Sequence, residues 1–307
     1  MEHTGGESGE QDNRRRFAEA VREERPDVAL LCLLIGTEAA ARSPGAGRDG
    51  GRDQQQEEAG DGGGARQAAM DEAEIELDRL AGLLPFARAR TPAQWADALA
   101  RLLGGELGFR GVPDDYRRLE SSLLQSVLRR RRGLPILLSV VWMEVARRAG
   151  APVYGVALPG HFVVGFGDPS GDHVLADPYD GGRPLTAGDL ESLAATATGG
   201  RGRLSAAALQ PAGTLEIVLR VLNNIRAWAA ARPEQSGVQL WALELSLLLP
   251  HHPARLRYER ARLLVERGDF VDGAAELESY AEVVAAMEPS AADTVRRAAR
   301  AARARLN

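Results

Sequence analysis

Apolar side chains along this chain change their period twice. Over residues 70–104 they recur every three or four positions, with Ile75, Leu77, Leu80, Leu83 and Leu84 in one stretch and Trp95, Leu99, Leu102 and Leu103 in the next. That spacing predicts two amphipathic helices. Thr91-Pro92 supplies a start for the second, and Gly104-Gly105 supplies a stop. Earlier in the chain, Asp27 can cap a short helix through Leu30, Leu31, Leu34 and Ile35, which the chain leaves near Ser43-Pro44-Gly45. A further helix is predicted over about 120–130. The run 135–149 contains Ile136, Leu137, Leu138, Val140, Val141, Trp142, Val145 and Ala146 and leaves almost no polar face, so its helix must be central.

After Gly150 the pattern shortens. Runs rich in β-branched and aromatic residues at 153–158, 161–166 and 173–176 predict adjacent antiparallel strands packed on the central helix. Asp168-Pro-Ser-Gly-Asp172 and Asp177-Pro-Tyr-Asp-Gly-Gly182 are turn sequences beside them. From residue 214 onward strand signals vanish, and five helices are predicted over 214–231, 237–249, 253–267, 271–287 and 291–305. Gly268-Asp269-Phe270 forms a turn between two of these helices, and Pro250 and Pro289 follow helix ends. Such helix pairs bury their faces by stacking on their neighbours, as in tetratricopeptide (TPR) hairpins.

The polar segments divide the chain. Residues 1–26 carry little apolar periodicity and are expected to be a disordered tail. A Gly, Gln, Asp and Arg segment at about 43–66 is expected to be a flexible insertion. A Gly- and Ala-rich linker is expected over 191–213. The organisation predicted is therefore an α+β core over 27–190, with a helical N-terminal part and a buried helix on a small antiparallel sheet, followed by all-α repeats over 214–307.

Composition narrows the function classes. The net charge is −5 over 307 residues, which offers no global attraction for polyphosphate, so bulk nucleic-acid binding is not expected. No lysine occurs, which excludes a Schiff-base lysine. Cys32 is the single cysteine and cannot form an intramolecular disulfide. The N-terminal residues lack the basic and apolar regions of a signal peptide, and no apolar run approaches the roughly 20 residues of a bilayer span. A cytoplasmic protein with no membrane association and no cofactor is the expectation.

The chemistry-bearing stretches are Gly111 with Asp114, Asp115 and Tyr116; Arg132-Gly-Leu-Pro-Ile-Leu-Leu-Ser139; Leu158-Pro-Gly-His-Phe162; and Leu175-Ala-Asp-Pro-Tyr-Asp-Gly-Gly182. Read alone, His161 is either a core histidine bonded to backbone or one half of a cleft pair with Asp177, and Asp177 would also serve as a turn starter. His173 beside these two lacks the close spacing of a metal site, and His251-His252 suits an inter-helix loop. Arg129, Arg130, Arg131 and Arg132 suit a solvated helix end or an anion site.

Together these stretches resemble the SirB family of bacterial transglutaminase-like proteins, which join such a core to C-terminal TPR repeats. The resemblance implies a transglutaminase-like (papain-like) core in which a helix N-terminus presents a cysteine and two strands supply His and Asp. His161 and Asp177 match the latter positions. Gly133-Leu134-Pro135 stands at the helix start, so the nucleophilic sulfur is missing. The resemblance further implies a cleft lined by Asp115, Tyr116, Gly133, Pro135, Ser139, Pro159, Gly160 and Pro178, and a protein or peptide partner for the repeats. Three readings follow: a binding module without turnover; a hydrolase or transferase of amide bonds in which His161 and Asp177 activate water or Ser139; or a structural protein whose repeats are a scaffold and whose core is their folded cap. Cys32 lies in a different predicted helix from the expected nucleophile.

Overall fold

The computed structural model describes residues 4–42, 62–87, 89–200, 205–286 and 288–306. The chain divides into two compact units, Met1–Val221 and Leu222–Asn307. The segment expected to be a flexible insertion lies mostly outside the described residues.

The first unit opens with α1 (Thr4–Ala20) and α2 (Val28–Ala41). The expectation of a disordered tail over 1–26 is therefore corrected. Phe17, Ala20 and Val21 are buried, and the buried Glu38 of α2 accepts from Asn13 Nδ2 at 3.0 Å and Arg14 Nε at 2.8 Å. A few apolar residues at its C-terminal end and a buried carboxylate on the neighbouring helix dock a helix that is otherwise mostly polar. Asp27 caps α2, its side chain accepting from the Leu30 amide at 3.0 Å.

Next come α3 (Gly62–Gly82) and α4 (Pro92–Leu99), the latter started by a capping box between Thr91 and Gln94. The chain does not stop at Gly104-Gly105. It continues as a π-helical stretch, Ala100–Glu106. A Cβ on Gly104 would stand 1.9 Å from the Gly181 carbonyl oxygen, so glycine here permits backbone approach rather than ending a helix. Short α5 (Leu124–Arg130) leads into α6 (Pro135–Arg148), with proline at its first turn and buried residues from Pro135 to Ala146.

The sheet is antiparallel, in the order β1 (Val153–Val156), β2 (Val163–Gly167), β3 (His173–Asp177), β4 (Arg183–Pro184). Its register pairs Val156 with Val163, Val164 with Ala176 and Asp177 with Arg183. α6 packs against β1 and β2. Val156, Val163 and Leu175 join Leu190 of α7 (Ala187–Thr198) in a separate apolar cluster. Thus α7 occupies part of the expected linker, and the first unit extends to Val221 rather than ending near 190.

Helix α8 (Thr214–Ala230) passes through the division between the units. In the second unit, α9 (Ser236–Leu248), α10 (Arg255–Arg267), α11 (Phe270–Ala285) and α12 (Pro289–Arg303) follow with short turns. Gly268, at φ 95°, reverses the chain between α10 and α11. Ala261, Leu277, Ala281, Val295 and Ala299 form an apolar seam through α10, α11 and α12. Among the described residues no helix is long and apolar enough to cross a membrane. Overall the architecture is α+β, followed by an all-α region.

Candidate functional site

The site is built where β3 ends. Asp177 closes that strand and caps the 3-10 turn Pro178–Asp180, its Oδ1 accepting from the Tyr179 amide at 2.9 Å. Gly181, at φ 65°, lets the chain reverse, and the Gly182 amide returns to the Asp177 carbonyl at 2.7 Å. The second carboxylate oxygen of Asp177 lies 2.9 Å from Nε2 of His161. A carboxylate only accepts, so Nε2 carries the hydrogen, and in the neutral imidazole Nδ1 is then the acceptor. Among the described residues Nδ1 has no protein partner. The carboxylate is nearly sealed, and the imidazole is 11% exposed.

His161 is presented by a tight turn. Its amide bonds the Leu158 carbonyl at 3.3 Å, and Gly160 adopts φ 66°. Two groups fix the turn's carbonyls: Arg220 Nη2 donates to Leu158 O and His161 O, each at 2.6 Å, and Ser139 Oγ donates to Phe162 O at 3.3 Å. The Tyr179 ring stands edge-on to the imidazole, with centroids 5.9 Å apart, and Tyr116 meets Tyr179 at 6.3 Å. Gly111 makes room for that ring, since a Cβ there would lie 1.8 Å from it. Burial, with Tyr116, Asp115 and Asp177 nearby, pushes the Tyr179 phenol up to about 12. Burial and the Asp177 carboxylate likewise raise Tyr116, so both phenols are neutral at physiological pH.

The other residues expected at a cleft separate into two groups. Tyr116, Pro159 and Gly160 are exposed, next to or within the turn that holds His161. Asp115 is 2% exposed; it accepts from the Val112 amide, Ser121 Oγ and Arg130, which makes it the brace of its own 3-10 turn. Arg130 therefore turns inward, unlike a solvated helix end. Gly133 is buried against Val127, and Pro135 and Pro178 are buried. Ser139 is sealed, with its hydroxyl bonded to a backbone carbonyl instead of the imidazole. His173 is exposed and bonds the Gly171 carbonyl through Nδ1; among the described residues no three metal-ligating side chains converge. His252 bonds the Leu249 carbonyl in the loop after α9.

Residues 67–223 match the transglutaminase-like superfamily, and residues 225–307 match the tetratricopeptide repeat. The chain belongs to the transglutaminase-like superfamily. Its relatives include a UPF0162 protein of Xylella fastidiosa, 38% identical over 164 residues, which cover 52% of this chain and 58% of that protein. A UPF0162 protein of Pseudomonas aeruginosa is 36% identical over 159 residues, covering 52% of this chain and 57% of that one. UPF0162 is the SirB family. F-box only protein 21 of Mus musculus is 26% identical over 185 residues, covering 57% of this chain and 28% of its own length. The aligned stretch thus spans less than three-fifths of these two UPF0162 proteins.

Within the transglutaminase-like core, the start of α6 is Leu134 and Pro135, both buried and neither nucleophilic. Cys32 sits in α2, fully buried. Burial, then Glu144 and Asp27, pushes its thiol up to about 12. Thiolate is the reactive form of cysteine, so this sulfur is chemically quiet. Because its folded-state pKa is raised, the stability it confers is complete below about pH 9 and is lost as the pH rises toward about 12. Iodoacetamide at about pH 8 is expected to leave native protein unlabelled and to label Cys32 fully once urea unfolds the chain, read by intact mass. Native labelling at the unfolded rate would contradict this.

Sequence reading missed two site residues. Tyr179 lies within the motif that supplies Asp177, where its ring reads as part of the turn. Arg220 lies 59 residues beyond His161, in a stretch with purely helical periodicity, so only tertiary structure brings it to the turn.

Proposed function

We propose that this protein is a non-classical member of its superfamily: a peptide- or protein-binding module in which the core site recognises a ligand without turning it over, and the TPR-like helices add an interaction surface. The observation that carries this reading is the juxtaposition of an ordered His161–Asp177 pair with a helix start that offers no nucleophile. A neutral imidazole with Nδ1 as acceptor, beside the Tyr179 ring that Tyr116 in turn meets, suits the N–H groups and apolar edges of a peptide. The match of residues 225–307 to tetratricopeptide repeats supports a protein partner.

The competing reading is an amide hydrolase or transferase in which the same pair activates water, favoured by the 2.9 Å bond itself. Serine catalysis draws no support from Ser139, whose hydroxyl is sealed.

Peptide-library panning against the full chain tests the binding reading. Tyr116→Ala removes a half-exposed ring and His161→Ala removes the acceptor; neither empties the core. Both are expected to reduce enrichment of core-selected peptides about tenfold or more, a loss of about 1.4 kcal/mol or more. Enrichment indifferent to both substitutions would sink the reading.

A further inference from the structure

We infer that the core site takes a ligand carboxylate, received by the guanidinium of Arg220 beside the imidazole of His161. The inference rests on the peptide-binding reading and names the group that the peptide presents.

Arg220 differs from four part-buried arginines of this chain that pair with carboxylates. Arg226 meets Glu259 at 2.8 Å, Arg260 meets Glu244 at 3.1 Å, Arg130 meets Asp115 at 3.3 Å, and Arg148 meets Asp78 at 2.8 Å. Arg220 has no carboxylate within ion-pair distance among the described residues. Among the described residues its hydrogen bonds run from Nη2 alone, to the two carbonyls of the His161 turn, and leave Nε and Nη1 without a protein acceptor. A guanidinium has five N–H donors in a planar fork, and desolvating it without a counter-charge is unfavourable. Burial indeed weakens its hold on the proton, offset in part by the field of Glu216 one turn earlier on α8. The Phe162 ring, 5.7 Å from the guanidinium carbon, covers one side of it.

A missing counter-charge beside an open acceptor is what an acidic peptide would supply. The carboxylate would bridge the free donors of Arg220, and an adjacent peptide N–H would reach Nδ1 of His161. Among the described residues Arg220 is the guanidinium bonded to the His161 turn, and Asp177 and Glu216 lie near, so a monoanion fits and a dianionic phosphate would meet repulsion. A chain terminus and an acidic side chain share this chemistry.

The test uses the full-length protein and three acetylated tripeptides: trialanine with a free C-terminal carboxylate, trialanine amide, and Ala-Glu-Ala amide. Binding is followed by NMR at the Arg220 Nε–H and the His161 ring. At least one of the two acids is expected to shift both signals saturably, with the neutral amide about tenfold weaker or more. Which acid binds identifies the source of the carboxylate. Arg220→Gln is expected to remove the preference for acid, and Arg220→Lys, which keeps the charge but loses the fork, to retain part of it. If Arg220→Gln unfolds, the acid-to-amide comparison and the lysine variant decide. Acid and amide binding alike overturn the carboxylate assignment while leaving peptide binding intact. Indifference to all three peptides at tens of millimolar overturns both.

Discussion

Glu38→Ala is expected to destabilise the protein by about 3 kcal/mol, the order found when one partner of a buried ion pair is removed. Glu38 is 0% exposed on α2, and its two oxygens receive Asn13 and Arg14 of α1, with Arg42 approaching at 3.6 Å. Alanine removes the buried acceptor that Asn13 and Arg14 share, although Asn13 Nδ2 keeps the Leu34 carbonyl at 3.2 Å and Arg42 keeps Glu10, and it opens a void between the helices. For a unit of this size the melting temperature should fall by roughly 6–12 °C. Glu38→Gln keeps an acceptor and should lose less. Thermal denaturation showing Glu38→Ala equal to the parent would mean that α1 is not docked as described.

The second large effect lies under the site. Trp142 of α6 is fully buried and meets Phe109 edge-on, with centroids 6.1 Å apart and planes at 88°. Its indole N–H has no partner among the described residues, and a Cβ on Gly182 would lie 3.1 Å from it. Trp142→Ala removes a large apolar surface and leaves a cavity, at a cost of about 3–5 kcal/mol. Trp142→Phe also removes the orphaned N–H and should cost far less. Urea unfolding of both variants checks this, and equal losses would show that the polar atom, not the packing volume, governs the position.

The two stability effects also show which features the sequence made legible. The central helix was readable because Ile136 to Ala146 leave no polar face, and a helix without a polar face has one possible location. The strands were readable because β-branched runs alternate with proline and glycine turns. Docking of α1 was not, because the polar side of the bargain resides in Glu38, a residue whose burial depends on a partner helix. Likewise Gly104-Gly105 resembled a helix stop, whereas the structure uses Gly104 to let Gly181 approach.

The candidate site divides along the same line. His161 and Asp177 stood out as residue types next to turn signals, and the absence of a thiol was visible at Gly133-Leu134-Pro135. Asp115 and Ser139 were legible as polar residues in motifs, but their roles were not: each is buried, Asp115 bonded within its own turn region and to Arg130, Ser139 to the Phe162 carbonyl just before β2. Arg220 reaches its turn only because α8 folds back onto the core, a contact that no local periodicity encodes.

The most direct measurement takes the peptides captured by the full chain, incubates them with purified protein, and follows them by mass spectrometry over many hours. A site with the His–Asp pair but no reactive sulfur should return every peptide at its original mass, bound and uncut. A cleaved, deamidated or transferred product that disappears with His161→Ala would contradict the account and establish an enzyme.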